Sequence, residues 1–391
     1  MNKIITLLCV AATFLFVACE SSEPVENESG GLSIYLSLPP ALSVDTRAGS
    51  IGDVSLSDVW VVQFGADDKK IKAVCYSGDA IKNVKNPDGS ENKALVEVTT
   101  SGFSNLKGTF RILVNFGVDN SKLTAFSSNS NATKSDLEGI IVDYTDYKNQ
   151  PNYLVSDAIE FAGVNDTTQD KVVLLAGLSY AYSWIDVKWT NKVSSPARFT
   201  LQSITACNLP KSIAIESRAG TTAGVYPPVA TEITGTCTVG SNPADAGLSS
   251  NSTYTFYMPE NLRGVGCGKS FQEKNLNAYG PRTDGKAPVL GGDGKPESGG
   301  DLSKCTYIDL VGSYWYSYSS AAPTATSPIS VRYRLYLGGN LVNDYNVRRG
   351  YHYTITVQIS GANSGDVRVT ITNGNVVVFD KVETIDKVVD F

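Results

Sequence analysis

A single histidine, His352, occurs in 391 residues, and that count removes most side-chain chemistry at once. A catalytic triad with an imidazole base needs it elsewhere, and a two-His metal site needs a second ring. His352 itself stands in "GYHYTITVQISG", whose alternation predicts a place on the outer face of a strand. The seven cysteines show no CxxC spacing, so neither a zinc knuckle nor a dithiol redox centre is indicated. The run "GGDGKPESGG" at 291–300 lacks GxxxxGK[ST] and opens no apolar helix, so it reads as a surface loop and not a phosphate cradle. The aspartates lack EF-hand spacing, the serines of "SSAAPTATSP" have no base nearby, and no carboxylate pair sits in an apolar setting. No catalytic, cofactor-binding or metal-ligating residue is nominated, and a non-enzymatic protein without cofactor is expected.

One cysteine has a chemical context of its own. The N-terminus "MNKIITLLCVAATFLFVAC" carries a short basic region at Lys3 and an apolar run from Ile4 to Ala18. That run is short of the about 20 residues of a membrane span and suits an export signal. "FVAC", with Leu15 one place further back, resembles a bacterial lipobox with Phe16 where Leu is usual. The small residue before Cys19 fits the signal peptidase, and the thiol of Cys19 would receive diacylglycerol. An ordinary secretory signal with an incidental cysteine is the alternative. The acidic, Gly/Ser-bearing "ESSEPVENESGG" that follows reads as a tether too polar to pack. Residues 1–18 are therefore expected to be a lipoprotein signal peptide and 19–31 a flexible tether, anchoring the chain to a membrane. Cys75, Cys207, Cys237, Cys267 and Cys305 then remain. An odd number favours isolated thiols, with Cys267–Cys305 the one disulfide weighed.

The remainder reads as strands and turns. Twenty Tyr and 35 Gly accompany a formal charge of −6, and the longest basic tract is a pair such as Arg348–Arg349, so nucleic acid is not an expected partner. "LSIYLSL", "DVWVVQF", "KAVCY", "ALVEVTT" and "TFRILVNF" are separated by turn residues, with one short helix expected around Lys134–Gly139. "DKVVLLAGLSYAYSWIDVKWT" (Asp170–Thr190) is long for one strand and is expected to bend near Gly177. Thr221–Leu248 and Gly268–Gly300 read as exposed loops. A boundary near Gly163–Gln169 divides the chain into units at 32–165 and 166–391, both all-β and of sandwich type.

"FTLQSITACNLP" (Phe199–Pro210), "FYMPENLRG" (Phe256–Gly264), "CTYIDLVGSYW" (Cys305–Trp315) and "VRYRLYLGGNLVNDYNVRRGYHYTITVQISG" (Val331–Gly361) resemble, in order and spacing, the second half of fimbrillins. These are the pilins and pilin-like lipoproteins of Bacteroidales that build type V pili. The resemblance implies two transthyretin-like β-sandwich domains in tandem, outer-membrane delivery, and a trypsin-like cut after an arginine near the N-terminus. In "SVDTRAGS" that cut would fall between Arg47 and Ala48, removing the first strand with its lipid. A neighbouring subunit's strand would then fill the groove, and a head-to-tail contact that does not close yields a filament. The candidate donor is the C-terminal stretch, where Asn373–Gly374 reads as a hairpin turn. Val376, Val378, Val382, Ile385 and Val388 beyond it are the inserting residues; pairing of Val376–Phe379 within its own domain is the alternative. Expected partners are other pilin subunits, the outer membrane through the lipid, and a host or bacterial surface ligand. A non-polymerising surface lipoprotein binding glycan through Trp315, Tyr316 and Tyr318, or an anchor or tip subunit, is the competing reading.

Overall fold

The computed structural model describes residues 31–38, 55–85, 88–89, 91–100, 103, 107–149, 151–161, 171–217, 233–236, 253–282, 288–297, 299–322, 327–362 and 367–374. Cys19, Arg47, Ala48, Val376, Val378, Val382, Ile385, Val388 and Cys237 lie outside these residues.

Ten strands come from the first half: β1 (Gly31–Ser37), β2 (Asp58–Phe64), β3 (Lys70–Ser77), β4 (Ile81–Lys85), β5 (Glu91–Thr100), β6 (Gly108–Val114), β7 (Ile141–Asp143), β8 (Leu154–Ser156), β9 (Ile159–Phe161) and β10 (Lys171–Tyr180). Helices α1 (Ser121–Ser128) and α2 (Lys134–Glu138) stand between β6 and β7. All these strands but β7 form one sheet in the order β3-β2-β6-β8-β10-β1-β5-β4, with β9 pairing β6. The sheet curls so that alternate residues meet in one core: Ile34 and Leu36 of β1, Val59 and Val61 of β2, Val96 and Val98 of β5, Phe110 and Ile112 of β6, Leu174 and Ala176 of β10. The other face of β2 and β6 presents Trp60, Val62, Phe64 and Leu113 to Leu123 and Phe126 of α1 and Leu137 of α2. Both helices are begun by side-chain caps. Asn120 accepts from the Lys122 and Leu123 amides, and Thr133 and Asp136 form a reciprocal capping box. Lys70 closes the far end of α1, donating to the Phe126 and Ser127 carbonyls at 2.8 and 2.5 Å.

The second half supplies β11 (Tyr182–Asn191), β12 (Arg198–Cys207), β13 (Ser212–Ala214), β14 (Ile233–Thr236), β15 (Thr253–Pro259), β16 (Tyr307–Trp315), β17 (Ile329–Tyr336), β18 (His352–Ile359) and β19 (Val367–Gly374), with the short helix α3 (Phe271–Lys274). Sheets β15-β11-β18-β19 and β14-β12-β16-β17 face each other. Their shared core sets Ile185, Val187, Phe256 and Ile355 against Leu201, Ile204, Leu310 and Tyr333. The Asn-x-Pro turn at Asn208 has φ +57°, and its side-chain amide donates to the Ser303 and Cys305 carbonyls at 2.9 Å each. Asn tolerates that left-handed backbone better than most residues, so this turn ties the end of β12 to the approach to β16.

Several local expectations need correction. The Asp170–Thr190 stretch does not bend at Gly177, which pairs in register with Ser37. It breaks at Ala181, where the chain leaves the first sheet and enters the second. The reason lies in alternation: Tyr180, Tyr182 and Trp184 stay with the first core, while Ile185, Val187 and Trp189 serve the second. Asn373 and Gly374 are not a hairpin turn. They end β19 as ladder residues opposite Tyr353 and His352. Gly268–Gly300 is not uniformly an exposed loop, since α3 buries Phe271 and Lys274. β14 lies inside the stretch read as the Thr221–Leu248 loop. Cys267 and Cys305 carry free thiols, as do Cys75 and Cys207.

The halves are stitched by short pieces. β13 pairs with β7, Tyr144 donates to the Tyr257 carbonyl at 3.3 Å, and Arg111 of β6 forms an ion pair with Glu216. Within the second half, Arg349 donates to the Ile215 carbonyl at 2.7 Å and holds the segment after β13.

Candidate functional site

β1 occupies an unusual position for a first strand. It lies inside the nine-stranded sheet, parallel to β10 through seven register pairs and antiparallel to β5 through six. Ile34 and Leu36 are wholly buried, and Leu38 nearly so. Each such side chain contributes about 2 kcal/mol of apolar burial. The next strand, β2, lies four places away across β10, β8 and β6. Only one backbone connection therefore joins β1 to the rest of the described fold. A single cut between Leu38 and Ser55 would free it, whereas β10 and β5 are tied at both ends. Without β1, the facing edges of β10 and β5 stand about 9–10 Å apart, two strand spacings, too far to bond each other. The vacancy would be a slot of unpaired backbone floored by Leu174, Ala176, Val96 and Val98. On the sheet's other face Leu175, beside Tyr35 in register, is 63% exposed.

At the opposite end of the chain, β19 adds to β18 along its full length, Val367 opposite Ile359 and Gly374 opposite His352. It forms the edge of its sheet. The proposed inserting valines and Ile385 begin beyond the end of this strand, and the alternative segment Val376–Phe379 also lies outside the described residues.

His352 is not on an open outer face. Its side chain is 15% exposed, Nε2 donates to Asp186 Oδ2 at 2.9 Å, and its ring stacks on Trp184 at 4.4 Å. Asp186 Oδ1 also accepts from Trp184 Nε1 at 3.1 Å and Thr255 Oγ1 at 2.5 Å. Burial alone would raise this carboxyl, but the bonds from His352, Thr255 and Trp184 outweigh it and hold Asp186 below the ordinary aspartate value. Thr255 donates to the carboxylate and not to the imidazole, so the cluster pins β11, β15 and β18 in register. Sequence reading missed Asp186, although an acid inside "YSWIDVKW" is a visible anomaly in an apolar strand.

Lys274 was also missed, and nothing local announces it. The ammonium donates to the carbonyls of Asn340 and Asp344 and lies 5.1 Å from the Tyr345 ring centre, while Tyr345 Oη donates to the Lys274 carbonyl at 2.8 Å. Complete burial drives its pKa down to about 7. The loops on either side of α3 and Tyr345 are thereby locked together.

Comparison with known proteins agrees with the architecture. Residues 256–357, from β15 nearly to the end of β18, match a family described as a domain of unknown function (DUF4906). No curated protein matches the sequence. Among solved structures, a protein assigned to cell adhesion from Parabacteroides distasonis aligns with TM-score 0.50 and 12% identity, covering 88% of this chain and 96% of its own. A protein of the same assignment from Bacteroides eggerthii gives 0.48 and 14%, covering 90% and 98%. The C-terminally truncated tip fimbrial protein Mfa3 of Porphyromonas gingivalis gives 0.46 and 11%, covering 88% and 99%. Bacteroidales fimbrial and cell-adhesion proteins are thus the structural neighbours of this chain, over nearly its whole length.

Proposed function

We propose that the protein is a fimbrial subunit, an exported lipoprotein lipidated at Cys19, cut between Arg47 and Ala48, and joined to its neighbours by strand exchange. The reading takes the molecule as two tandem transthyretin-like sandwiches meeting where the chain changes sheets, at Ala181. The observation that carries it is the place of β1: the first strand among the described residues, central in its sheet, buried through Ile34 and Leu36, and joined to the other described strands at its C-terminal end only. Arg47 lies between β1 and β2 in sequence, where one cut would release that strand together with the lipid. An incoming strand restores backbone bonds to β10 and β5 and offers alternate side chains to the slot. Val376, Val378, Val382, Ile385 and Val388 are assigned as the inserting residues. The resulting fimbrium, anchored at first in the outer membrane, supports adhesion and biofilm formation.

The test is to treat purified protein with trypsin, sequence the new N-terminus, and follow polymers by electrophoresis without boiling. A product beginning at Ala48 that forms a ladder is expected, and a cut chain that stays monomeric refutes the subunit reading. Deleting 375–391 leaves β19 whole and should abolish the ladder. Unchanged polymers refute the donor assignment. An anchoring subunit is favoured instead if surface-extracted protein begins at Cys19.

A further inference from the structure

We propose that the outer face of β12, β16 and β17 binds an acidic oligosaccharide. Trp315 and Tyr318 would pack against a sugar ring, and Arg198 would receive its anionic group. The inference deepens the adhesive half of the reading above, but it rests on this face and not on polymerisation.

The face is built at the end of the second sandwich. Arg198 and Trp315 are cross-strand neighbours. The Arg198 guanidinium carbon lies 4.2 Å from the Tyr318 ring centre and 5.6 Å from that of Trp315, and the two rings meet edge to face at 5.7 Å. The Tyr318 amide donates to the Pro196 carbonyl at 2.7 Å, fixing the turn that carries it. Rings held this way lose little freedom when a ligand arrives. Along β16 the next outward residue, Ser313, stands between Thr200 and Ser330, and Gln202 Nε2 donates to its hydroxyl at 3.0 Å. Val311 follows, with Arg332 opposite. From Trp315 to Val311 the strand advances about 14 Å, room for a short oligosaccharide. Its apolar ring face meets the aromatics, and its hydroxyls meet a row of hydroxyl and amide groups.

Charge selects the class of sugar. Asp309 takes two 2.7 Å bonds from Arg334, so those two charges cancel. Arg332 is well exposed, 3.7 Å from the same carboxylate, and Arg198 is exposed over its rings. Among the described residues of this face three arginines oppose one aspartate, on a chain whose formal charge is −6. A guanidinium fork matches a carboxylate or a sulfate, and a neutral sugar would leave Arg198 without an anionic partner. The polar row also departs from the apolar centre a protein partner would need.

The fluorescence of the uncut monomer provides the test. Trp60, Trp184 and Trp189 are buried, so of the four tryptophans Trp315 is the one within reach of a ligand. Titration with 3′-sialyllactose or 3′-sulfolactose is expected to give a saturable change, with lactose about tenfold weaker or more. The two acidic probes separate a carboxylate ligand from a sulfate. Arg198→Gln is expected to weaken the acidic probe about tenfold at unchanged melting temperature, whereas Arg332→Gln, farther along the sheet beside Asp309, should change it little. No saturation with either acidic probe, equal affinity for lactose, or unaltered binding in Arg198→Gln overturns the proposal. Polymerisation is not required for any of these readings, so either reading can fail alone.

Discussion

Replacing Ile34 by alanine tests whether β1 is an integral strand of the uncut molecule and a dispensable one afterwards. Ile34 is fully buried between Leu174 and Val98, its register partners on β10 and β5. Truncation removes three carbons, a transfer loss of about 2.4 kcal/mol at about 0.8 per buried methylene. Neighbours held in a continuous sheet cannot collapse far, so the cavity brings the total to about 3–4 kcal/mol. With a urea slope of about 2 kcal/mol per molar, the midpoint for the unit built on the first sheet should fall by about 1.5–2 M. Amides of β5 and β10 should lose exchange protection with it, which localises the effect. The same measurement then follows a cut at Arg47 and removal of the released peptide under denaturant. Cut wild type and cut variant should be indistinguishable, because the substituted residue has left. A loss below about 1 kcal/mol in the uncut chain would contradict the central packing of β1. A difference that survives the cut would show that β1 stays.

Two further predictions concern titrating groups. The pKa of Lys274 is depressed in the fold to about 7 from 10.5, so between those values the unfolded chain binds the extra proton. Stability should therefore rise with pH across that window, by at most about 1.4 kcal/mol per pH unit; Lys274→Met should flatten this slope in urea titrations at several pH values, and an unchanged slope would refute the assignment. The pKa of Asp186 is also lowered, below 3.8, so its contribution is complete above 3.8 and is lost as pH falls through the lower folded value. Asp186→Asn should cost about 2 kcal/mol at neutral pH, with the gap from wild type closing in acid; a constant gap would mean that the carboxylate's charge is not what the three donors hold.

Much of this was legible because strands advertise themselves by alternation. "LSIYLSL" and "DVWVVQF" appear within a residue of their expected bounds, and the Thr133–Asp136 box opens the helix expected near Lys134. The break at Ala181 was not, because alternation specifies a face but not which of two cores that face meets. Tyr182 and Trp184 keep the phase of β10, while Ile185, Val187 and Trp189 after them face the second core. The His352–Asp186 contact joins residues 166 apart in sequence, and the parallel pairing of β11 with β18 that creates it leaves no local signature. The arginine and aromatic face was half visible: Trp315, Tyr316 and Tyr318 stand together in sequence, whereas Arg198 arrives only through the register of β12 on β16.

The joint at Ala181 also has a mechanical meaning. β10, which flanks the place of β1, continues through one residue into β11, the strand between β15 and β18. Tension applied to any strand lying beside β10 is thus handed along a single extended backbone into the middle of the second sandwich, with no slack loop between to absorb it. Because a strand in the place of β1 bonds to β10 along the pull, its bonds are loaded together in shear, a geometry that resists far more force than peeling them one by one.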